Sequence, residues 1–333
     1  MVSVRTAADD VVGHMSDHVL GVDLGGSNAR VVLSHISGRP AADIAAPTAQ
    51  GEAQAVVAQL VGLSRQLAET AGVDWSRIAG MAVGVPGVVH FDGSELRLAP
   101  NLPPFADIDV ATALGEQLGV PVVLDNDVNM ATLAEQRHGL GVGASDFVFI
   151  AVGTGVGMGI VSSERLQRGA AGAAGEIGFL PLALDPFERG NQRHGPLEEA
   201  GGGVGVARRY AALAGGPTGA VAALEVYTRA ADGDRHARAV LDDQARAIGL
   251  AVVSVQSMLD PALVVFGGGI GSREDFVARV RSYVARLTLR QVRIEVSGLG
   301  ERAGLIGAAE LARAQANGEA PADLRLVRWE GRR

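Results

Sequence analysis

Apolar positions along the chain follow a plan that occurs twice. HVLGVDL at 18 to 24 reads as a strand, GGSN as a tight turn and ARVVLSHI as a second strand, so together they predict a β-hairpin. Ala, Val and Leu then recur at helical spacing over 52 to 71. RIAGMAVGVPG (77 to 87) is a buried strand that stops at Gly and Pro, and DVATALGEQLG (109 to 119) is a helix leading into the strand PVVL.

The second half opens the same way. DFVFIAVGTGVGMGIV (146 to 161) is again strand, glycine turn, strand, a counterpart of the hairpin at 18 to 36. Helical spacing marks 197 to 213, 219 to 231 and 235 to 259. PALVVFGGGI is a strand that ends in glycines, followed by a helix at 273 to 287, a short strand at 292 to 296 and a last helix at 302 to 316. Two α/β units of like plan, each opened by a Gly-turn hairpin, predict a two-lobed α/β protein with a cleft between the lobes.

Composition narrows the chemistry. A chain of 333 residues with 47% hydrophobic content can build a substantial core, and its formal net charge of −8 argues against a nucleic-acid surface. The Arg-rich stretch RLVRWEGRR reads as a solvated tail. Neither a leader-like apolar segment nor a run near the ~20 apolar residues of a membrane span occurs, so a cytoplasmic protein is expected. There is no cysteine, which excludes thiol nucleophiles, disulfides and Cys-ligated metals. There is no lysine either, which excludes a Walker A lysine, a protein-kinase strand lysine and Schiff-base chemistry.

Three stretches carry candidate chemistry. In VDLGGSNAR, the backbone amides of Gly25 and Gly26 and the Ser27 hydroxyl suit phosphate oxygens, and Asp23 at the strand end is placed to hold Mg²⁺; a plain hairpin turn explains the same glycines. GTGVG repeats the arrangement with Thr154 and Gly155. A dinucleotide-binding fingerprint is excluded, because Met158 stands where its last Gly belongs and GLGVGA at 139 to 144 follows a helix rather than a strand. In VPVVLDNDVNMATLAE (120 to 135), a buried strand runs into Asp125, Asn126, Asp127 and Asn129 and then a helix. Asn126 or Asp127 as N-cap accounts for one of the four; a carboxylate base beside an orienting amide accounts for more.

DLGGSNAR, GVPGVV, NLP, DNDVNMATLAE, GTGVGMGIV, GAAGEIGFL, LEEAGGG, LDPALVVFGGGI and LGERAGLIGAA occur in the order and approximate spacing of the ROK family of bacterial sugar kinases and sugar-responsive repressors. The resemblance covers roughly residues 18 to 312. It implies the bilobal actin-like ATPase (ribonuclease H-like) fold, with a smaller α/β domain at 18–123 plus 308–320, a larger one at 124–307, and polar tails at 1–17 and 321–333. It further implies a homodimer that phosphorylates a hexose or amino-hexose with ATP and Mg²⁺.

Carried over residue by residue, Asp127 resembles the base that takes the proton from the sugar hydroxyl. Asn126 and Asn101 resemble the amides that hold ring hydroxyls, and Glu176 and Glu198 the carboxylates at the anomeric end. Asp23 with Gly25, Gly26 and Ser27 resembles the Mg²⁺ and phosphate element, Thr154 and Gly155 the second phosphate element, and Gly267, Gly268 and Gly269 the nucleoside contact. The chain also departs from the family. Where many members carry a zinc loop, Phe179 replaces the first His, FERGNQRHGPLEE has no Cys, and only His194 remains nearby, so no zinc site is expected. Phe179 cannot bond sugar hydroxyls as a His does, and Pro104 and Phe105 stand where Gly and Trp are common. A sugar-sensing repressor needs a DNA-binding segment of some 50 residues ahead of the first motif, and about 20 precede it here. A catalytically weak sugar sensor is the remaining alternative.

Overall fold

The computed structural model of the chain describes residues 16–89, 96–97, 109–217, 219, 221–319 and 326–327. Strands β1 (His18–Leu24), β2 (Asn28–His35) and β3 (Pro40–Pro47) run antiparallel and are followed by α1 (Ala53–Thr70) and β4 (Ile78–Val85). A small ribbon of β5 (Val88–Val89) and β6 (Leu96–Arg97) precedes α2 (Val110–Leu118), β7 (Val122–Asn126) and α3 (Asp127–His138). Next come β8 (Phe147–Val152), β9 (Val156–Ser162), β10 (Arg165–Gln167), α4 (Arg189–Gln192), α5 (Pro196–Gly201), α6 (Gly203–Ala214), α7 (Ala223–Ala231) and α8 (Arg235–Leu259). The chain continues through β11 (Leu263–Gly267), α9 (Gly268–Gly271), α10 (Glu274–Leu287), β12 (Ile294–Val296), α11 (Ala303–Ala316) and β13 (Leu326–Val327).

Two mixed sheets share one plan. The first has the order β13-β7-β4-β1-β2-β3 and the second β10-β9-β8-β11-β12. In each, the first hairpin strand pairs in parallel with a later strand: β1 with β4 and β4 with β7, β8 with β11 and β11 with β12. The duplication seen in the two hairpins is therefore a duplication of whole sheets, as the actin-like ATPase fold requires. Several expectations are corrected. The helix expected over 197 to 213 breaks into α5 and α6 at Gly202, whose ψ of 155° is extended. The helix expected from 219 begins at Ala223, and the strand at 292 to 296 shrinks to Ile294–Val296. Strand β3 went unrecognised because PAADIAAP is an edge strand with no buried residue and a Pro at each end.

Helices α3 and α11 form the layer between the sheets. One side of α3 (Ala131, Ala134) packs on Phe147, Phe149, Val161 and Val265 of the second sheet. Met130, on its other side, joins Leu311 and Ala312 of α11 and Val19, Ala82 and Val123 of the first sheet. The outer face of the first sheet is covered by α1 and α2, and that of the second by α5 to α8 and α10.

Glycines set how closely this layer packs. A Cβ on Gly307 of α11 would stand 1.7 Å from the Met130 carbonyl oxygen of α3, and one on Gly21 of β1 would stand 2.5 Å from the Ala309 nitrogen. On the opposite side, a Cβ on Gly159 of β9 would stand 1.8 Å from Thr132 Oγ1. Gly307→Ala therefore forces backbone apart and should lower stability by about 3 kcal/mol. Gly62→Ala, on the exposed side of α1 with no heavy atom within 4 Å of the new Cβ, should raise it by about 0.5–1 kcal/mol. Urea unfolding of the two variants checks the opposite signs.

Candidate active site

The parallel strands of both sheets end at one cleft. In the first sheet Asp23 is in register with Gly84, and Gly84 with Asp125, so three strand ends lie side by side. A cleft of about 710 Å³ opens beyond them, lined by Gly25, Gly26, Asn126 and Asp127 from the first half and by Thr154, Gly155, Glu176, Phe179, Glu198 and Gly268 from the second. This is the crevice outside the carboxyl ends of parallel strands where α/β sheets bind ligands. Asn101, Pro104 and Phe105 lie outside the described residues.

The four polar residues after β7 take different tasks. Asn126 is the N-cap of α3: its Oδ1 accepts from the backbone N–H groups of Val128 at 2.9 Å and Asn129 at 3.1 Å, and its Nδ2 donates to the Gly87 carbonyl at 3.0 Å. Capping and lining the cleft are thus combined in one side chain, with one Nδ2 proton left over. Asp127 opens the helix. Burial, followed by the charges of Asp23 and Glu176, pushes its carboxyl up to about 7, against an opposing hydrogen bond from the Val128 N–H.

Asp125 and Asn129 are structural. Arg168, which follows β10, donates from Nε to Asp125 Oδ2 at 2.9 Å, and its guanidinium also lies 2.8 Å from the same oxygen through Nη2. Both side chains are buried, at 4% and 5% exposure. The other oxygen, Oδ1, accepts from Asn129 Nδ2 at 2.9 Å and from the Asn126 N–H at 2.8 Å. This ion pair ties the loop entering the Glu176 segment to the start of α3.

Two further carboxylates face the cleft. Glu176 precedes a 3₁₀ turn at Ile177–Phe179, and burial together with the charge of Glu198 pushes its carboxyl up. Burial also raises Glu198, opposed by the Val156 N–H that donates to its Oε2 at 2.9 Å. Gly155 lies directly beneath Glu198, where a Cβ would stand 2.3 Å from Oε2. The break between α5 and α6 belongs to the same structure: the N–H of Gly203 donates to the Gly153 carbonyl at 2.8 Å and that of Val204 to the Thr154 carbonyl at 3.2 Å.

The two glycine turns flank the cleft. Gly25 and Gly26 line it while Ser27 is exposed at the turn. Asp23 lies behind them, pushed up by burial with the charge of Arg30 opposing, and its carboxylate accepts no hydrogen bond among the described residues. A buried carboxylate oxygen with open coordination beside a glycine turn fits a Mg²⁺ that also meets phosphate. Of the three glycines after β11, Gly268 lines the cleft with φ +82°, Gly267 is covered by the Phe149 ring, and Gly269 is exposed.

Arg168 and Glu199 have no signal in the sequence, and His194 stands out there only as what remains near the missing zinc loop. His194 lines the cleft, and its Nδ1 lies 2.9 Å from Oε1 of buried Glu199, which also accepts from Arg208. Burial pushes Glu199 up, but the hydrogen bonds from His194 and Arg208 outweigh it and hold the carboxyl below its usual range. No local pattern announces such pairs, because their members meet only after folding.

Similarity to known proteins agrees with this geometry. The ROK family pattern matches residues 19–315, and the chain belongs to the ROK family. A glucokinase from Halalkalibacterium halodurans is 29% identical over 325 residues, covering 91% of this chain and 97% of that one. A ROK hexokinase from Thermus thermophilus superposes with a TM-score of 0.78 at 29% identity, covering 90% of this chain and 99% of the other. A ROK family glucokinase from Streptomyces griseus, in complex with glucose and AMPPNP, superposes with a TM-score of 0.72 at 25% identity, covering 89% and 99%.

Removing one partner of a buried ion pair strands the other. Arg168→Met should lower stability by about 3–5 kcal/mol, while Arg168→Met combined with Asp125→Asn, which removes the stranded charge and keeps an acceptor for Asn129 and the Asn126 N–H, should recover part of the loss. Chemical denaturation of the single and double variants measures both.

Proposed function

We propose that the chain is an ATP-dependent sugar kinase that phosphorylates a hexose or amino-hexose, at the C6 hydroxyl, with glucose the first candidate. The carrying observation is Asp127: a carboxylate on the cleft floor, raised to about 7, with glycine turns on both sides and Glu176 and Glu198 opposite. Family membership and likeness to glucokinases support the reading.

In this reading Glu176 and Glu198 accept hydrogen bonds from hydroxyls at the C1 edge of the sugar, and Asn101 and Asn126 orient ring hydroxyls. Asp127 accepts the proton of the C6 hydroxyl as its oxygen bonds the γ-phosphorus and the bond to the leaving ADP breaks. The amides of Gly25 and Gly26 with Ser27, and those of Thr154 and Gly155, hold phosphate oxygens; Gly267 to Gly269 meet the nucleoside. Mg²⁺ held by Asp23, directly or through water, supplies neutralisation of the phosphate charge when bound. Closure of a unit at 18–123 plus 308–320 onto one at 124–307 excludes water from the reacting groups. The chain acts in the cytoplasm, as a homodimer that light scattering would register at twice the 34.1 kDa chain mass. Among the described residues no helix is long and apolar enough to cross a membrane.

An ATP-coupled screen of glucose, mannose and glucosamine, with NMR of the product, tests the reading. Turnover of one of these to a 6-phosphate, abolished by chelating Mg²⁺, is expected; sugar binding without turnover would favour the sensor alternative. Asp127→Asn should lower kcat by about 10² to 10⁴-fold with a small effect on the KM for ATP. The base works ionised, so wild-type kcat/KM for the sugar should fall as pH drops below about 7.

Stability has the opposite sign. The folded carboxyl is raised above its ordinary value of 3.8, so its contribution is complete below that pH and is lost as pH rises through about 7. Asp127→Asn should therefore melt above wild type at pH 8, with the gap narrowing towards pH 5. Calorimetric scans across that range check it.

A further inference from the structure

His194 lines the cleft and has no part in the reaction above. Gly195, with φ +94°, lies on the backbone of Gly178 and Phe179; a Cβ there would stand 2.2 Å from the Gly178 carbonyl oxygen and 2.7 Å from the Phe179 Cα. The preceding residue, His194, is thereby brought to the wall formed by Phe179 and Glu198, and all three line the cleft. Phe179 is 40% exposed there and has no hydrogen-bonding group to offer a polar ligand.

The imidazole is oriented from behind. Its Nδ1 lies 2.9 Å from Glu199 Oε1, the Glu199 side chain is only 3% exposed, and Arg208 holds the other carboxylate oxygen. An ionised carboxylate accepts and cannot donate, so the proton of this pair sits on Nδ1. Nε2 is then the nitrogen left for a ligand, and it has no hydrogen-bond partner among the described residues. A surface histidine that only closes a loop has no need of a buried carboxylate backed by an arginine.

We infer that His194 is a specificity-determining residue of the cleft, forming through Nε2 a hydrogen bond with one ring hydroxyl of the sugar at the edge faced by Glu198. The inference rests on the sugar-kinase reading. It makes the wall beside Phe179 selective for a hydroxyl, recognised from the 180–195 segment rather than from position 179. The Glu199–Arg208 pair acts through His194 by fixing the ring.

Titration calorimetry with sugar alone, without nucleotide, separates binding from turnover. His194→Phe and His194→Ala should each weaken glucose binding by about tenfold or more. Across 1-deoxy-, 2-deoxy- and 3-deoxyglucose, the loss should vanish for the one analogue that lacks the hydroxyl read by His194 and persist for the others. In the wild-type protein, the His194 Nε2 resonance in ¹⁵N NMR should shift on saturation with glucose and stay in place with that analogue, a readout that needs no variant. An equal loss for every analogue, no loss for any, or an Nε2 resonance indifferent to glucose would overturn the inference. If wild type phosphorylates glucose while any of these holds, only the role of His194 falls. If wild type binds none of the sugars, the sugar-kinase reading falls as well.

Discussion

Everything at the site depends on how closely two helices lie between two sheets. Helix α11 meets α3 at Gly307 against the Met130 carbonyl and meets β1 at Gly21 against Ala309, while α3 meets β9 at Gly157 and Gly159 against Val128 and Thr132. The approaches at Gly307 and Gly21 are backbone against backbone and admit no larger residue, those at Gly157 and Gly159 set strand backbone against side chains of α3, and packed interiors transmit such constraints with little give. The start of α3 is thereby fixed against the cleft. Asp127 occupies that position, and the burial that comes with it raises its carboxyl. A helix N-terminus favours an ionised carboxylate, yet here removal from water is the larger effect.

Much of this was legible in the chain. Hairpins with glycine turns, buried strands ending in Gly or in DND, and helical spacing each report a local preference, and local preferences agree with the fold across both sheets. The sequence leaves open whether Asn126 or Asp127 caps the helix; the structure gives Asn126 the cap and a place on the cleft wall. What escaped was long-range. Arg168 lies 43 positions from Asp125, and its sequence surroundings are those of any surface arginine. The break at Gly202 has another origin: the spacing of residues 197 to 213 is helical apart from the run Gly201–Gly203, and there the amides of Gly203 and Val204 meet the Gly153 and Thr154 carbonyls. Local rules fail where the backbone is committed to the site, as expected of functional positions.

The site also couples its two ends. Glu198 faces the cleft with one oxygen on the Val156 N–H and lies directly over Gly155 of the second glycine turn. In the proposed function, the side chain offered to the sugar and the loop offered to phosphate therefore share one contact. A shift of either is felt by the other, which is the arrangement an enzyme needs if it is to assemble its reacting groups only with both substrates bound.

In the proposed function Asp127 stands against the hydroxyl that receives the phosphoryl group. A crystal structure with glucose and a non-hydrolysable ATP analogue measures it directly. The account predicts the C6 hydroxyl oxygen about 2.6–3.2 Å from an Asp127 carboxylate oxygen, with its other side open to the γ-phosphate. A sugar bound with C6 turned away from Asp127, or with another carboxylate against that hydroxyl, would contradict it.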